Sequence, residues 1–138
     1  MGPGVKLGVG VMTCMITALR PVDRVRQDAE PIAAMYRDMG TKAAEQVVNR
    51  ALGELALTIA TLSQQVKNRD LVDLPRRLRR LQRMSENLGM VSLGLVAADA
   101  RSVFETGDTT AFAAIWARLL RVAERSLASD KDLLDQSL

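Results

Sequence analysis

The sequence predicts an all-α protein, an antiparallel up-down four-helix bundle with a short extra N-terminal helix. Apolar residues recur at alternating spacings of three and four along four long segments, a pattern typical of helices that bury one face. Aromatic residues are only 3% of the chain, and β-branched residues do not form short alternating runs, so a sheet is not expected. The connections between the segments are short, which favours antiparallel neighbours.

The first two predicted helices are separated by a glycine. A short helix is expected over about 29–39, because Pro31 suits a first turn and Gly40 suits a C-terminal cap. Thr41 is expected to cap the long helix that follows, and a close helix contact would explain Gly53 inside it. The apolar stripe of this long helix is predicted to be Val48, Leu52, Leu55, Ile59, Leu62 and Val66.

The third helix is expected to begin at Asp70 or Asp73, and Pro75 suits its first turn if Asp73 is the cap. Gly89 is expected to end this helix, because glycine readily adopts the left-handed conformation found there. Its buried stripe is predicted to be Leu74, Leu78, Leu81, Met84 and Leu88.

The fourth helix is expected over about 91–105 and ends at Gly107. Asp108 or Thr109 is expected to cap the fifth helix. Trp116 lies beside the stripe of the fifth helix and is expected to be a half-buried edge residue, the alternative being an interface anchor. The two stripes are predicted to be Leu93, Val96, Ala100, Val103 and Phe104, followed by Phe112, Ile115, Leu119, Val122 and Leu127.

The length of the chain suits one domain, because 138 residues can bury a core without disulfides. We expect this domain over 29–129, between a flexible or loosely packed N-terminal arm (1–28) and an acidic C-terminal tail (130–138). The apolar run 11–19 is shorter than the roughly 20 residues of a membrane-spanning helix, and no signal-peptide cleavage site follows it. A cytoplasmic protein with no transmembrane segment is therefore expected.

The residue types that are absent exclude several kinds of site. The chain has no histidine and one cysteine, Cys14, so neither an intramolecular disulfide nor a Ser-His or Cys-His nucleophile pair can form. A zinc site is not expected for the same reason. The sequence therefore predicts a non-enzymatic protein without metal or cofactor, and the alternative that these absences leave open is an enzyme that uses carboxylate or lysine chemistry. The net charge of +3 permits an acidic partner without requiring one.

Residues 79–89, Arg-Arg-Leu-Gln-Arg-Met-Ser-Glu-Asn-Leu-Gly, resemble the signature helix of histidine-containing phosphotransfer (HPt) domains. These four-helix bundles carry a phosphoryl group on a histidine between kinases and receiver domains. The family pattern is roughly His-x-Leu-Lys-Gly-Ser-x-x-x-Leu-Gly, and the resemblance extends over about 32–127. The structural positions of the pattern are matched by Leu81, Met84 or Ser85, Leu88 and Gly89, and further along the chain by Leu93, Val96, Ala97, Ala100, Phe104, Gly107 and Asp108.

The functional positions of that pattern are substituted. Arg79 stands at the position of the histidine, Gln82 at that of the lysine and Arg83 at that of the glycine. A guanidinium group stays protonated and is not nucleophilic, so Arg79 cannot accept a phosphoryl group. The resemblance therefore implies a pseudo-phosphotransferase, a non-catalytic protein of two-component phosphorelay signalling that binds a receiver domain or histidine kinase without accepting phosphate.

The arginine-rich part of this helix has three interpretations. It is a docking surface for an acidic partner, since arginine pairs well with carboxylates, or it is simply a solvated helix face. A nucleic-acid surface is the least favoured, because stacking aromatic residues are nearly absent and no DNA-binding motif is present. The alternative function is a structural or oligomerisation module that pairs through the N-terminal arm or Trp116. The predicted partner-binding residues are Arg76, Arg79, Arg80, Gln82 and Arg83.

Overall fold

The computed structural model of the protein describes residues 25–137, with the side chains of residues 25–129. This part of the chain contains five α-helices and no β-strand beyond one isolated bridge, so the predicted all-helical class is confirmed. The predictions for Cys14 and the rest of residues 1–24 lie outside the described residues. The helices are α1 (Glu30–Met39), α2 (Thr41–Lys67), α3 (Leu74–Asn87), α4 (Val91–Thr106) and α5 (Thr109–Ser137).

The four longer helices contact one another in a ring. Helix α2 packs against α3, α3 against α4, α4 against α5, and α5 against α2, while α1 packs against α2. The contacts of α4 with α3 and with α5 are the most extensive, and those of α2 with its two neighbours are sparser. None of the helices within residues 25–137 combines the length and apolar composition needed to cross a membrane.

The predicted apolar stripes supply most of the core that these contacts enclose, although Val103 of α4 is only half-buried and does not belong to the core cluster. Every stripe residue predicted on α2 and α3 is buried or packs against the buried cluster. The prediction that apolar residues spaced three and four positions apart form the core is therefore confirmed for these two helices. The largest apolar side chains with less than 2% of their surface exposed are Val48, Leu55, Leu62, Leu74, Leu78, Leu81, Met90, Leu93, Val96 and Leu119.

Trp116 belongs to this core, so the prediction of a half-buried edge residue is wrong. Only 9% of its surface is exposed, and its ring stacks on that of Phe112 with centroids 6.1 Å apart. Phe112 in turn meets Phe104 of α4 edge to face at 5.5 Å. The buried face of α5 is wider than the narrow stripe of the prediction, because Trp116, Ala123 and Ser126 are buried beside it.

The structure differs from the prediction at two helix ends and at one position inside a helix. Gly40, with φ of +85°, occupies the N-cap position of α2, so Thr41 is its first helical residue and not its cap. Nothing lies within 4 Å of the position that a Cβ atom would take at Gly53, so no close helix contact explains this glycine. Helix α5 continues to Ser137 along the backbone expected to form a separate tail over 130–138.

Other predicted ends are confirmed. Asp73 is the N-cap residue of α3, although its side chain makes no capping hydrogen bond, and Pro75 lies in the first turn. Gly107 ends α4 in the left-handed conformation. Asp108 caps α5, because its Oδ1 accepts a hydrogen bond from the backbone N–H of Ala111 at 2.9 Å.

Residues 25–28, expected within a loosely packed arm, are held against the turn between α3 and α4. The Asp28 N–H donates to the Gly89 carbonyl at 2.7 Å, and the Arg26 N–H donates to Ser92 Oγ at 2.7 Å. Gly89 has φ of +74°, and a Cβ atom there would lie 1.9 Å from the Asp28 carbonyl oxygen. The turn therefore needs glycine both for its backbone conformation and for the space that Asp28 occupies.

Candidate functional site

Helix α3 separates apolar and charged residues onto opposite faces. Leu74, Leu78 and Leu81 are buried, and Ser85 is also buried with its hydroxyl donating to the Leu81 carbonyl at 2.7 Å. Leucine, arginine, glutamine and methionine favour helix formation, which accounts for a regular helix in so polar a segment. The same periodicity that buries the leucines places most arginines on the solvent side.

The charge of the molecule is concentrated on this helix. Helix α3 contains five arginines and one glutamate, a net charge of +4, whereas the whole chain carries +3. Arg76 and Arg77 lie in its first turn, where the helix dipole is positive and no acidic residue is present. The helix therefore combines an unfavourable dipole interaction with repulsion between arginines three and four positions apart.

Four arginines form the outer face of α3, which is the surface defined by Arg76, Arg79, Arg80 and Arg83. All four are exposed. Arg76 has an ion pair with Asp73 at 3.3 Å, in which 76% and 48% of the two side chains are exposed. Such an exposed pair contributes at most about 1 kcal/mol. Within residues 25–129, the other three have no carboxylate within the 4.0 Å of a salt bridge.

Gln82, the remaining residue of the predicted partner-binding set, does not join the outer face. Its side chain is half-buried and its Nε2 donates to Glu86 Oε2 at 3.0 Å. Both residues lie on the α4 side of α3, since the Glu86 side chain and the Gln82 carbonyl are the nearest atoms to a Cβ placed at Gly94. The small size of Gly94 thus allows α3 and α4 to approach closely there.

Arg77 is a basic residue that the predicted set omits. It is half-buried on the side of α3 that faces α2, where it lines a groove with Arg80 and with Leu57 and Thr58 of α2. One signal in the sequence identifies this position: Arg77 lies two turns before Met84, which belongs to the predicted stripe. Arg77 therefore sits at the edge of the buried face.

Comparison of the chain with protein-family models, with curated proteins and with solved structures gives no significant match. The HPt resemblance thus depends on the sequence pattern of α3 and α4 and of the turns that follow them.

Proposed function

We propose that the chain is a non-catalytic HPt-like protein that binds a receiver domain or a histidine kinase through the outer face of α3. In this proposal the ring of four long helices is the antiparallel up-down bundle of that family. The observation that carries it is the position of Arg79, which is exposed near the middle of α3 among three other exposed arginines. In HPt domains this position holds the histidine, and it is the point that a receiver domain approaches.

The charge of the outer face supports a binding role over a merely solvated face. A solvated helix face is stable with charges of both signs, which add favourable pairs three and four residues apart. The outer face of α3 instead has four positive charges, and only Asp73 pairs with one of them in the described residues. Carboxylates clustered around the phosphorylated aspartate of a receiver would relieve the repulsion and pair with the planar guanidinium groups.

Binding without phosphoryl transfer follows from the same residues. A guanidinium keeps its proton at all physiological pH values and has no free nucleophilic electron pair. The protein would therefore occupy the docking surface of its partner while leaving the phosphoryl group there, as a competitor or an adaptor.

The test is the affinity of the full chain for receiver domains and histidine kinases of the organism that encodes it, measured by calorimetric titration. Replacing both Arg79→Glu and Arg83→Glu should weaken the affinity by on the order of 100-fold, because each substitution removes a charge pair and introduces a repulsive one. Raising the salt concentration should weaken binding of the unsubstituted protein as well.

The matched control is the double substitution Arg118→Glu and Arg125→Glu on α5. Both arginines are exposed, and either double substitution changes the net charge from +3 to −1. An equal loss of affinity in the two double variants would show that only the net charge of the protein matters for binding. Full affinity in the α3 variant would exclude the outer face as the binding surface. Far-ultraviolet circular dichroism establishes that both variants retain their helices.

The alternative, a structural or oligomerisation module, has less support. Trp116 is buried and cannot anchor a second copy. The large apolar side chains with the greatest exposure are Leu57 at 67%, Val72 at 88% and Leu95 at 54%. They lie on α2, in the turn before α3, and on α4, and scattered apolar residues of this kind are normal on monomeric proteins.

A further inference from the structure

A second basic site lies in the groove between α2 and α3, beside the outer face. It is a partly open cavity of about 250 Å³. Arg77 and Arg80 are three residues apart on α3, and Thr58 and Thr61 are three residues apart on α2, so each pair lies along one edge of its helix. The lining residues are Leu57, Thr58, Thr61, Leu62, Arg77 and Arg80.

The two arginines of this groove have no carboxylate partner among the described residues. Arg77 Nε is buried and has no hydrogen-bond partner among the described residues. The large majority of buried side-chain polar atoms in proteins are hydrogen-bonded. Because the side chain of Arg77 also lines the groove, an anion bound there would supply the acceptor that the protein does not.

The two threonines add neutral donors to this site. Thr58 Oγ1 makes its described hydrogen bond to Met84 Sδ at 3.8 Å, and a thioether is a weak acceptor that a stronger one displaces. Thr61 is exposed and has no hydrogen-bond partner in the described part of the chain. The groove thus presents two guanidinium groups and two hydroxyl groups to one small volume.

We propose that this groove binds the phosphate group of a small organic phosphate monoester. A phosphate dianion has three terminal oxygens and two charges, which match two guanidinium groups and two hydroxyls better than the two oxygens of a carboxylate do. Leu57, with 67% of its surface exposed, supplies an apolar wall for the organic part. The volume is below the roughly 300–1,000 Å³ of drug-sized pockets, so the ester is small.

This inference does not depend on the receiver-binding proposal. Arg77, Thr58 and Thr61 lie in the groove and not on the outer face, and Arg80 alone belongs to both surfaces. The site also differs from the position of Arg79, where the HPt family carries its phosphoryl group covalently, because binding in the groove is reversible.

The experiment is a titration of the ¹⁵N-labelled full chain with phenyl phosphate, followed through the Nε–Hε signals of the arginines by nuclear magnetic resonance. The Arg77 signal should shift most and the Arg80 signal next, with much smaller shifts at Arg79 and Arg83. Phenyl phosphate should bind about tenfold more tightly than benzoate and than inorganic phosphate, since benzoate lacks the third oxygen and phosphate lacks the apolar part. Equal shifts of all arginine signals, or equal binding of either reference anion, would overturn the assignment.

Substitutions distinguish binding in the groove from a general attraction of anions to the positively charged protein. Arg77→Gln should weaken phenyl phosphate binding by about tenfold and Thr61→Val by about threefold, whereas Arg118→Gln on α5 should change it by less than about twofold. Thr61→Val tests the site even if Arg77→Gln unfolds the protein, because Thr61 is exposed. The Arg79→Glu, Arg83→Glu double variant should still give the Arg77 shift. Loss of that shift in the double variant, or equal weakening by Arg118→Gln, would refute a separate groove site.

Discussion

Replacing Gly89 with alanine should destabilise the protein more than replacing Gly107 with alanine, although the two glycines have almost the same backbone conformation. Their φ angles are +74° and +79°, so alanine meets the same left-handed strain at each position. That strain costs about 1–2 kcal/mol. A Cβ atom at Gly107 meets nothing within 4 Å, whereas one at Gly89 would collide with the Asp28 carbonyl oxygen.

The additional cost at Gly89 can be worked out from the hydrogen bonds that the collision breaks. Residues 25–28 must then move away from the turn. This movement breaks the hydrogen bond from the Asp28 N–H to the Gly89 carbonyl and both hydrogen bonds between Arg26 and Ser92. At about 0.5–1.5 kcal/mol for each of three bonds, Gly89→Ala should lose about 1.5–4.5 kcal/mol beyond the loss in Gly107→Ala.

Urea unfolding followed by circular dichroism measures the free energy of unfolding of both variants, and hydrogen exchange measures the protection of the Asp28 amide. Gly89→Ala should abolish that protection while Gly107→Ala leaves it unchanged. Free energies of unfolding that agree within about 0.5 kcal/mol, together with a protected Asp28 amide in Gly89→Ala, would refute the role assigned to the contact between Asp28 and Gly89.

Two further predictions concern aromatic residues. Trp116→Ala should lower the free energy of unfolding by about 3–5 kcal/mol in urea denaturation, because it leaves a cavity in the core and removes the stacking on Phe112. A loss below about 1 kcal/mol would show that Trp116 contributes no more than a residue at the edge of the core. Tyr36, the single tyrosine, has its pKa raised above 10.0 by desolvation and then by the charge of Glu45. The stability that this raised pKa gives is complete below the ordinary tyrosine pKa and is lost as pH rises through the folded pKa. The free energy of unfolding of Tyr36→Phe should therefore decrease less above about pH 10 than that of the unsubstituted protein. An equal decrease in the two proteins would exclude this contribution.

The parts of the fold that depend on local patterns could be predicted from the sequence. Apolar spacing identified the buried stripes because burial of one helix face imposes that period directly. Glycine at Gly107 and aspartate at Asp108 marked the turn before α5, because each residue suits its position locally. Thr41 is the exception, because Gly40 takes the cap position and a threonine is also compatible with a first helical turn.

The parts that depend on distant segments could not be predicted in this way. Gly89 was expected to end a helix, but its second reason for being glycine is the passage of Asp28, which lies far away in the sequence. The offset of Trp116 from a narrow stripe predicts an edge position, whereas the structure buries it beside Phe112, whose ring meets Phe104 of α4. Arg77 is absent from the predicted partner-binding set, and only the position of α2 makes its edge of α3 part of a groove.

The hydrogen bonds of residues 25–28 can form only after later parts of the chain have been made. Gln27 Nε2 donates to the Ser126 carbonyl across a sequence separation of 99 residues, and the Arg26 N–H reaches Ser92 across 66. A ribosome adds about 5–20 residues each second, so the interval between the synthesis of Gln27 and that of its acceptor, Ser126, is about 5–20 s. Helices α3 and α4 can pair well before that time, whereas residues 25–28 complete their hydrogen bonds only after α5 has been made.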